Sequence, residues 1–150
     1  MSWALEEYTE DAIMNYLTAK VTAGTMNFYA AWDNEEIKYP CSVIHAGVSR
    51  NVSGIAFNGI REIDVQIAVM TDAKDSTTQT ARERNRTARD SVLTALAMTA
   101  LHDDLNAMAP HGVVFSLAMI GQIARSVETE RRVFVSEINL ETIAAPRVVV

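Results

Sequence analysis

The segment spanning residues 54–70 reads GIAFNGIREIDVQIAVM, and its Asn58-Gly59 pair constrains the fold more than any other feature. Asn-Gly is the strongest short-range signal for a two-residue type I′ turn, because both central residues of that turn need positive φ. After the pair, apolar residues alternate with Glu62, Asp64 and Gln66. Alternation of this kind predicts a strand with one packed face and one solvent face. The segment therefore predicts a β-hairpin.

The predicted hairpin is long. Its strands are expected over residues 41–57 and 60–71, and a two-residue turn would place Val52 opposite Val65. Arms of about 12 residues reach roughly 40 Å, which exceeds the usual strand length of 3–10 residues. We therefore expect the tip to project from the core, with Ile55 and Phe57 as its apolar anchors.

Two amphipathic helices flank this hairpin. The first is predicted over residues 3–20, where apolar side chains recur at helical spacing: Leu5, Tyr8, Ala12, Ile13, Tyr16 and Leu17. The second is predicted from the capping pattern at residues 76–79 to about Ala100. A loop over residues 102–112 should end it, because Pro110 and Gly112 are typical of loops.

Two further strands are predicted over residues 113–123 and 131–143. The first is apolar on both sides, which indicates either a central strand or one covered by a partner. Its predicted faces are Val113, Phe115, Leu117, Met119 and Ile123 on one side, and Val114, Ala118 and Ile120 on the other. Residues 144–150 are expected to be flexible or to dock on a partner.

The predicted order is helix, hairpin, helix, hairpin. With no helix between the strands of either pair, this order predicts an α+β sandwich of two layers. We expect a mostly antiparallel sheet of about four to five strands, two main helices on one face, and a long protruding β-hairpin. At 150 residues the chain is predicted to form a single domain.

Composition narrows the function classes. The net charge of −6 argues against general attraction to nucleic acid, because nonspecific affinity comes from cations that neutralise phosphates. Cys41 is the single cysteine, so neither an internal disulfide nor a cysteine-rich zinc site is expected. No apolar run reaches the length of a membrane span, and the acidic N-terminal segment predicts no export signal.

No motif predicts catalysis. His102, Asp103, Asp104 and His111 match no metal-ligand spacing, and a solvated loop explains them as well. Nucleophile elbows, phosphate-binding glycine loops and dinucleotide fingerprints are absent from the sequence. We therefore expect no catalytic residue, no metal, no cofactor and no enzymatic activity.

The segment ARERNRTARD, residues 81–90, carries the sharpest local pattern. At 100° per residue, Arg82, Arg86 and Arg89 share a stripe with later apolar positions of the helix. Burying unpaired guanidinium groups against the sheet would cost several kcal/mol. We therefore expect the first half of this helix to overhang the core and to meet acidic groups of another subunit; plain solvent exposure is the alternative.

The order of elements resembles that of the tail terminator, or tail completion, proteins of long-tailed bacteriophages. The resemblance rests on the opening amphipathic helix and on four segments: YPCSVIHAG, REIDVQIAVMTDA, TARERNRTARDSVLTAL and RRVFVSEINLETI. It spans almost the whole chain and consists of pattern and order.

The resemblance implies a virion structural protein assembled in the host cytoplasm. It would form a ring, usually of six copies, that ends growth of the tail tube and joins the tail to the head connector. Its partners would be itself, the tail tube protein and the head-tail connector protein, while DNA passes without specific binding and no membrane is involved. Subunit contacts are then expected at Arg82, Arg86, Arg89, Ile55, Phe57, Asn58 and Gly59, and Glu62, Asp64 and Gln66 are expected to line the channel.

Three alternatives remain open at the level of sequence. Another neck or connector ring protein would show the same pattern. A small cytoplasmic α+β enzyme or ligand-binding domain would need a pocket between sheet and helices. A DNA-binding module is disfavoured by the net charge.

Overall fold

The computed structural model of the chain describes residues 5–21, 26–30, 37–47, 50–51, 60–72, 80–108, 112–129 and 133–146. Amphipathic and alternating segments fold into three helices and six strands within these ranges. In chain order they are α1 (Leu5–Lys20), β1 (Asn27–Ala30), β2 (Cys41–Ala46), β3 (Arg50–Asn51), β4 (Arg61–Asp72), α2 (Ala81–Leu96), α3 (Leu101–Met108), β5 (Val113–Glu128) and β6 (Val133–Pro146).

The strands form one mixed sheet in the order β1-β2-β4-β6-β5, with the short β3 pairing beside β2 on β4. Only β1 and β2 are parallel, and the remaining described pairs are antiparallel. The predicted α+β sandwich of two layers, with a mostly antiparallel sheet, is confirmed. The pairing also places β5 at one edge of the sheet.

All three helices share one hydrophobic core with a single face of the sheet. On α1, Ile13, Tyr16 and Leu17 are fully buried, as their helical spacing predicts. The Tyr16 hydroxyl donates a hydrogen bond of 2.5 Å to the carbonyl of Ala95. This bond ties α1 to α2, because a buried hydroxyl needs a partner.

The second helix begins and ends within its predicted span. Its N-cap is Thr80, not a residue of the pattern at 76–79. The backbone N–H of Glu83 donates to Thr80 Oγ1 (3.2 Å), and the Thr80 N–H donates to Glu83 Oε2 (3.4 Å). Both patterns satisfy the capping rule, so only the observed bonds distinguish them.

The second helix is predicted to reach Ala100 and to be followed by a loop. This prediction of its C-terminal end is wrong. The chain leaves helix after Leu96 and forms α3 within the predicted loop. Leu101 and Leu105 lie one helical turn apart and are both buried, so a short apolar stripe is enough to hold α3 on the core.

The predicted register of the first hairpin is also wrong. Val65 pairs with Ala46, six positions from the predicted Val52. The ladder shifts by one residue after Gly47 and resumes with Arg50 opposite Glu62. Because six is an even number, this shift keeps the β2 side chains on their predicted faces, so the alternation alone cannot distinguish the two registers there. On β3 the shift is five, which places Arg50 on the face opposite the predicted one. The tip, residues 52–59, lies outside the described residues.

The longest hairpin is formed by β5 and β6, which have 16 and 14 residues. β6 also pairs with β4 along all twelve residues of β4, so most of its length lies inside the sheet. Residues 144–146, predicted as part of a loose tail, belong to β6, and Pro146 pairs with Val113. Residues 147–150 lie outside the described residues.

Candidate assembly surfaces

The side of the sheet opposite the described helices carries the exposed polar residues of β4. Ile63, Val65, Ile67 and Val69 are fully buried on the helix side. The alternate residues therefore point to the other side, together with their direct partners on β2 and β6. We call this side, within the described strands, the helix-free face.

One end of the helix-free face is acidic. Asp64 is half exposed and pairs with Glu141 across the ladder, and Glu62 lies two residues away. The guanidinium of Arg50 spans the two β4 carboxylates: its Nε lies 2.8 Å from Glu62 Oε2, and its Nη2 lies 3.8 Å from Asp64 Oδ2. The structure thus brings the predicted channel residues Glu62, Asp64 and Gln66 to one face, and three of the four nearby charged groups are negative.

The other end of the helix-free face is apolar. A groove of about 710 Å³ crosses β2, β4, β6 and the far end of β5. Its apolar lining residues are Val43, Ala68, Met70, Ala124, Val127 and Val135, and its polar ones are His45, Gln66, Thr129 and Glu137. We call this surface the sheet groove.

Exposed apolar side chains occur along β5, with Met119 and Val127 on the helix-free face and Ile123 on the other face. Met119, Ile123 and Val127 are 48%, 49% and 57% exposed. The sequence allowed a central strand or a strand covered by a partner, and the edge position of β5 leaves the second alternative. Such residues on an edge strand are typical of a surface that binds another protein.

The predicted faces of this strand are wrong from Leu117 to Ile120, while Ile123 lies on the same face as Val113 and Phe115, as predicted. Register shifts interrupt the β5–β6 ladder at three places, between Phe115 and Leu117, between Ile120 and Gln122, and between Ala124 and Val127. Each extra residue reverses the alternation, so Leu117 pairs with Ile143 on the helix-free face while Phe115 pairs on the helix side. Sequence periodicity does not reveal such bulges.

The arginines of α2 do not overhang the core. The buried stripe of this helix consists of Ala81, Asn85, Val92 and Leu96, one residue before the predicted stripe. A change of one residue rotates a helix by about 100°, which is enough to turn arginines from the packed side to the flank. The first half of α2 packs directly on the sheet, because Asn85 is fully buried there. The predicted overhang is therefore wrong.

The three arginines nevertheless reach the surface to different degrees. Arg82 and Arg86 are exposed. Arg89 is 20% exposed, and its Nη2 lies 3.1 Å from Asp90 Oδ1. A contact with another subunit stays a prediction for these residues. Of the other predicted contact residues, Ile55, Phe57, Asn58 and Gly59 lie outside the described residues.

Two titratable groups that do not line the sheet groove are buried, one carboxyl and one thiol. Glu10 on α1 is 6% exposed and accepts a hydrogen bond of 3.3 Å from the Ala46 N–H. Burial raises the pKa of Glu10, and the Ala46 hydrogen bond opposes that shift. Burial also raises the pKa of Cys41 to about 12, so this thiol stays protonated and unreactive at neutral pH.

Among the described residues, no group of three or more His, Cys, Asp or Glu side chains is arranged to hold a metal ion. His102 lies beside Asp103, with Nε2 3.4 Å from Oδ1, on the exposed side of α3. The described helices include none with the length and apolar character needed to cross a membrane. No protein-family model and no curated protein sequence matches this chain.

Sequence reasoning missed the sheet groove. Its lining residues come from four strands and are scattered from Val43 to Glu137 along the chain. The sequence feature related to it was the apolar character of both faces of residues 113–123. That feature allowed for a partner but did not indicate which residues the partner would contact.

Proposed function

We propose that this protein is a structural subunit that assembles with copies of itself into a ring. The ring caps the tail tube of a long-tailed bacteriophage, ends tube growth and joins the tail to the head connector. The resemblance of the element order to tail terminator proteins supports this proposal. The ring is then part of the virion and is assembled in the host cytoplasm.

The observation that carries the proposal is the exposure of Met119, Ile123 and Val127 on the edge strand β5. Each large apolar side chain left in water forgoes burial that is worth about 1.5–3 kcal/mol when complete. A subunit contact that covers this strand recovers part of that free energy. Ring formation requires such a contact to be heterologous, so that two different surfaces meet and the rotation closes.

The acidic end of the helix-free face supports the passage of DNA. Glu62, Asp64 and Glu141 lie together there, and Arg50 partly neutralises the first two. A channel lined by carboxylates repels phosphate, so DNA would slide through without specific binding. In the proposed ring this acidic end faces the channel.

The test is assembly of the wild-type protein, followed by capping. Light scattering and negative-stain microscopy at several concentrations should show one closed ring mass, with six copies as the expected number. Added to polymerising tail tube protein from the same genome, the ring should shorten the tubes in proportion to its concentration. A monomer at every concentration, with tube lengths unchanged, would contradict the proposal. Rings that bind a connector but do not shorten tubes would favour another neck protein.

A ligand-binding domain is the second candidate. A cleft of about 500 Å³ lies between the end of α1 and α2, with Lys20, Thr71, Arg84 and Ser91 among its lining residues. Native mass spectrometry of the purified protein discriminates the two candidates. A bound small molecule that occupies every monomer would favour the ligand-binding domain, and ligand-free rings would favour the structural subunit.

A further inference from the structure

The sheet groove has the shape and chemistry of a site for an extended apolar peptide. Its floor consists of residues paired across neighbouring strands. Val127, Val135 and Met70 lie side by side in one row, and Ala68 and Val43 lie side by side in the adjacent row. Small side chains such as Ala68 leave depth between larger neighbours. The volume of about 710 Å³ lies within the range of ligand sites. Glu137 lies on the floor between Ala68 and Ala124, where it offers one charged group among apolar neighbours.

We propose that the sheet groove binds residues 147–150 of a second copy of this chain. That segment reads RVVV and directly follows the last residue of β6, Pro146. Valine prefers extended backbone, and three valines supply the apolar side chains that the groove would cover. Arg147 complements Glu137, which is acidic and lines the groove among the described residues.

The distance along β6 requires that the segment come from another copy. Val135 in the groove and Pro146 are eleven residues apart on one continuous strand. At about 3.3 Å per residue, this separation is roughly 36 Å. Four extended residues span at most about 14 Å, so residues 147–150 do not reach the groove of their own chain.

Two other ways of covering this face are disfavoured. A two-fold contact whose axis passed near Glu137 and Glu141 would bring these carboxylates close to those of the partner, and like charges at an interface are unfavourable. Addition of a strand to the β5 edge is hindered by the three register shifts of β5, because bulges blunt edge strands.

Docking of the segment makes the assembly directional. Every copy offers one segment and one groove, and these are different surfaces, so the contact is heterologous. The closure of the docked copies into a ring rests on the proposed function. The docking itself requires only that copies of the chain associate.

The first test compares three single variants with the wild type by sedimentation equilibrium. Val127→Asp places a charge in the groove at a residue that is 57% exposed. Val149→Asp places the same charge in the segment. Met98→Asp is the matched control, because Met98 lies between α2 and α3, is 50% exposed and does not line the groove. We expect a self-association Kd about 30-fold higher or more for the first two variants and a change below about 3-fold for the control.

The second test mixes the two defective variants. Val127→Asp retains an intact segment, and Val149→Asp retains an intact groove. Each alone should be monomeric, and the 1:1 mixture should form a heterodimer that grows no further, since only one productive contact remains. Two variants that stay monomeric on mixing, under conditions where the wild type associates, would overturn the inference.

The third test reverses the charges of the two residues that are proposed to pair. Glu137→Arg and Arg147→Glu should each weaken self-association, and the double variant should restore it, because both charges of the contact are then reversed. Failure of the double variant to recover would contradict the pairing of these two residues. These variants also keep the inference testable if Val127→Asp does not fold.

The outcomes separate this inference from the proposed function. Rings of unchanged mass in both the groove and the segment variants would overturn the docking and leave the ring intact. A Kd that rises for Val127→Asp but not for Val149→Asp would show that the groove is occupied by something else, and would also overturn the docking. Wild-type protein that forms open chains, which both variants abolish, would support the docking and contradict the ring.

Discussion

Asn85 of α2 and Ser136 of β6 are hydrogen-bonded to each other at a position where neither side chain is exposed to solvent, with the Ser136 hydroxyl donating to Asn85 Oδ1. The Asn85 amide nitrogen donates to the carbonyls of Val69 (3.1 Å) and Phe134 (3.0 Å) and lies 3.1 Å from Thr71 Oγ1. One buried amide therefore joins α2 to both central strands of the sheet. This network sets the rotation of α2, because any other rotation would bury these groups without partners.

Asn85→Ala should lower the free energy of unfolding by about 3 kcal/mol. The substitution leaves the Ser136 hydroxyl and two strand carbonyls without this partner, and each unsatisfied buried group costs about 1–3 kcal/mol. Urea unfolding followed by circular dichroism measures the change. Ser91→Ala, on the exposed side of the same helix, should stay within about 0.5 kcal/mol of the wild type. Equal effects of the two substitutions would show that the network adds no stability.

Arg86→Glu should weaken self-association about tenfold while the melting temperature changes by only a few degrees. Arg86 is exposed on the flank of α2. The substitution would remove one ion pair with an acidic group of a neighbouring subunit. The wild-type Kd should also rise with added salt, since screening reduces such contacts. Lys38→Glu makes the same charge change at another exposed site and serves as the control. An unchanged Kd in the folded Arg86 variant would remove this arginine from the interface.

Glu10→Gln should stabilise the protein at neutral pH and have little effect in acid. The pKa of Glu10 is raised in the folded state, mainly by burial, so folding favours the protonated carboxyl. The wild-type contribution is complete below the ordinary pKa of 4.5 and is lost as the pH rises through the raised folded pKa. Glutamine stays neutral and still accepts the Ala46 N–H.

Unfolding free energies of the two proteins between pH 4 and pH 8 should therefore diverge as the pH rises. Ser91→Ala, which removes no titratable group, should give a pH profile parallel to that of the wild type. Parallel pH profiles for wild type and Glu10→Gln would contradict the raised pKa.

Gly112→Ala should destabilise the fold by about 1–3 kcal/mol. Gly112 has φ +79°, a left-handed conformation that costs other residues free energy. A Cβ at this position would also overlap the ring of Tyr8 on α1. In a Tyr8→Ala background the same glycine substitution should cost less, because only the backbone strain remains. Thermal melts of the four proteins of this cycle separate the two contributions.

Cys41 should resist thiol reagents in the native protein. The side chain is fully buried and its pKa is about 12, so very little reactive thiolate exists at pH 8. We expect labelling at least about a thousandfold slower than for a free cysteine, with full reactivity in urea. Ser91→Cys in a Cys41→Ser background should label rapidly, because position 91 is exposed. Fast labelling of native Cys41 would contradict its burial.

Sequence reasoning was most successful where a pattern is local. The apolar stripe of α1 places Ile13, Tyr16 and Leu17 in the core, and the alternation of β4 places Glu62 and Asp64 on the opposite side of the sheet from Val65. These assignments need only the periods of a helix and a strand, which neighbouring residues along the chain reveal. The α+β class follows from the order of such segments.

Sequence reasoning was weaker where two segments must choose a common alignment. The pairing of Val65 with Ala46, in place of Val52, is an even shift that conserves the faces of β2. The burial of Asn85 in place of Arg86 is a rotation by about one residue, which the buried partners on Val69, Phe134 and Ser136 determine. Such choices depend on long-range contacts that no local pattern encodes.

By itself, then, the sequence determined the two main helices, the alternating strand β4, the α+β class and an acidic net charge. Only the tertiary structure decided that β5 is an edge strand with exposed apolar residues, and that Val43, Met70, Val127 and Val135 meet in one groove. The physical reason is that periodicity records which way a side chain points within its own element. Neighbours across the sheet are selected by packing and hydrogen bonding between residues that are far apart along the chain.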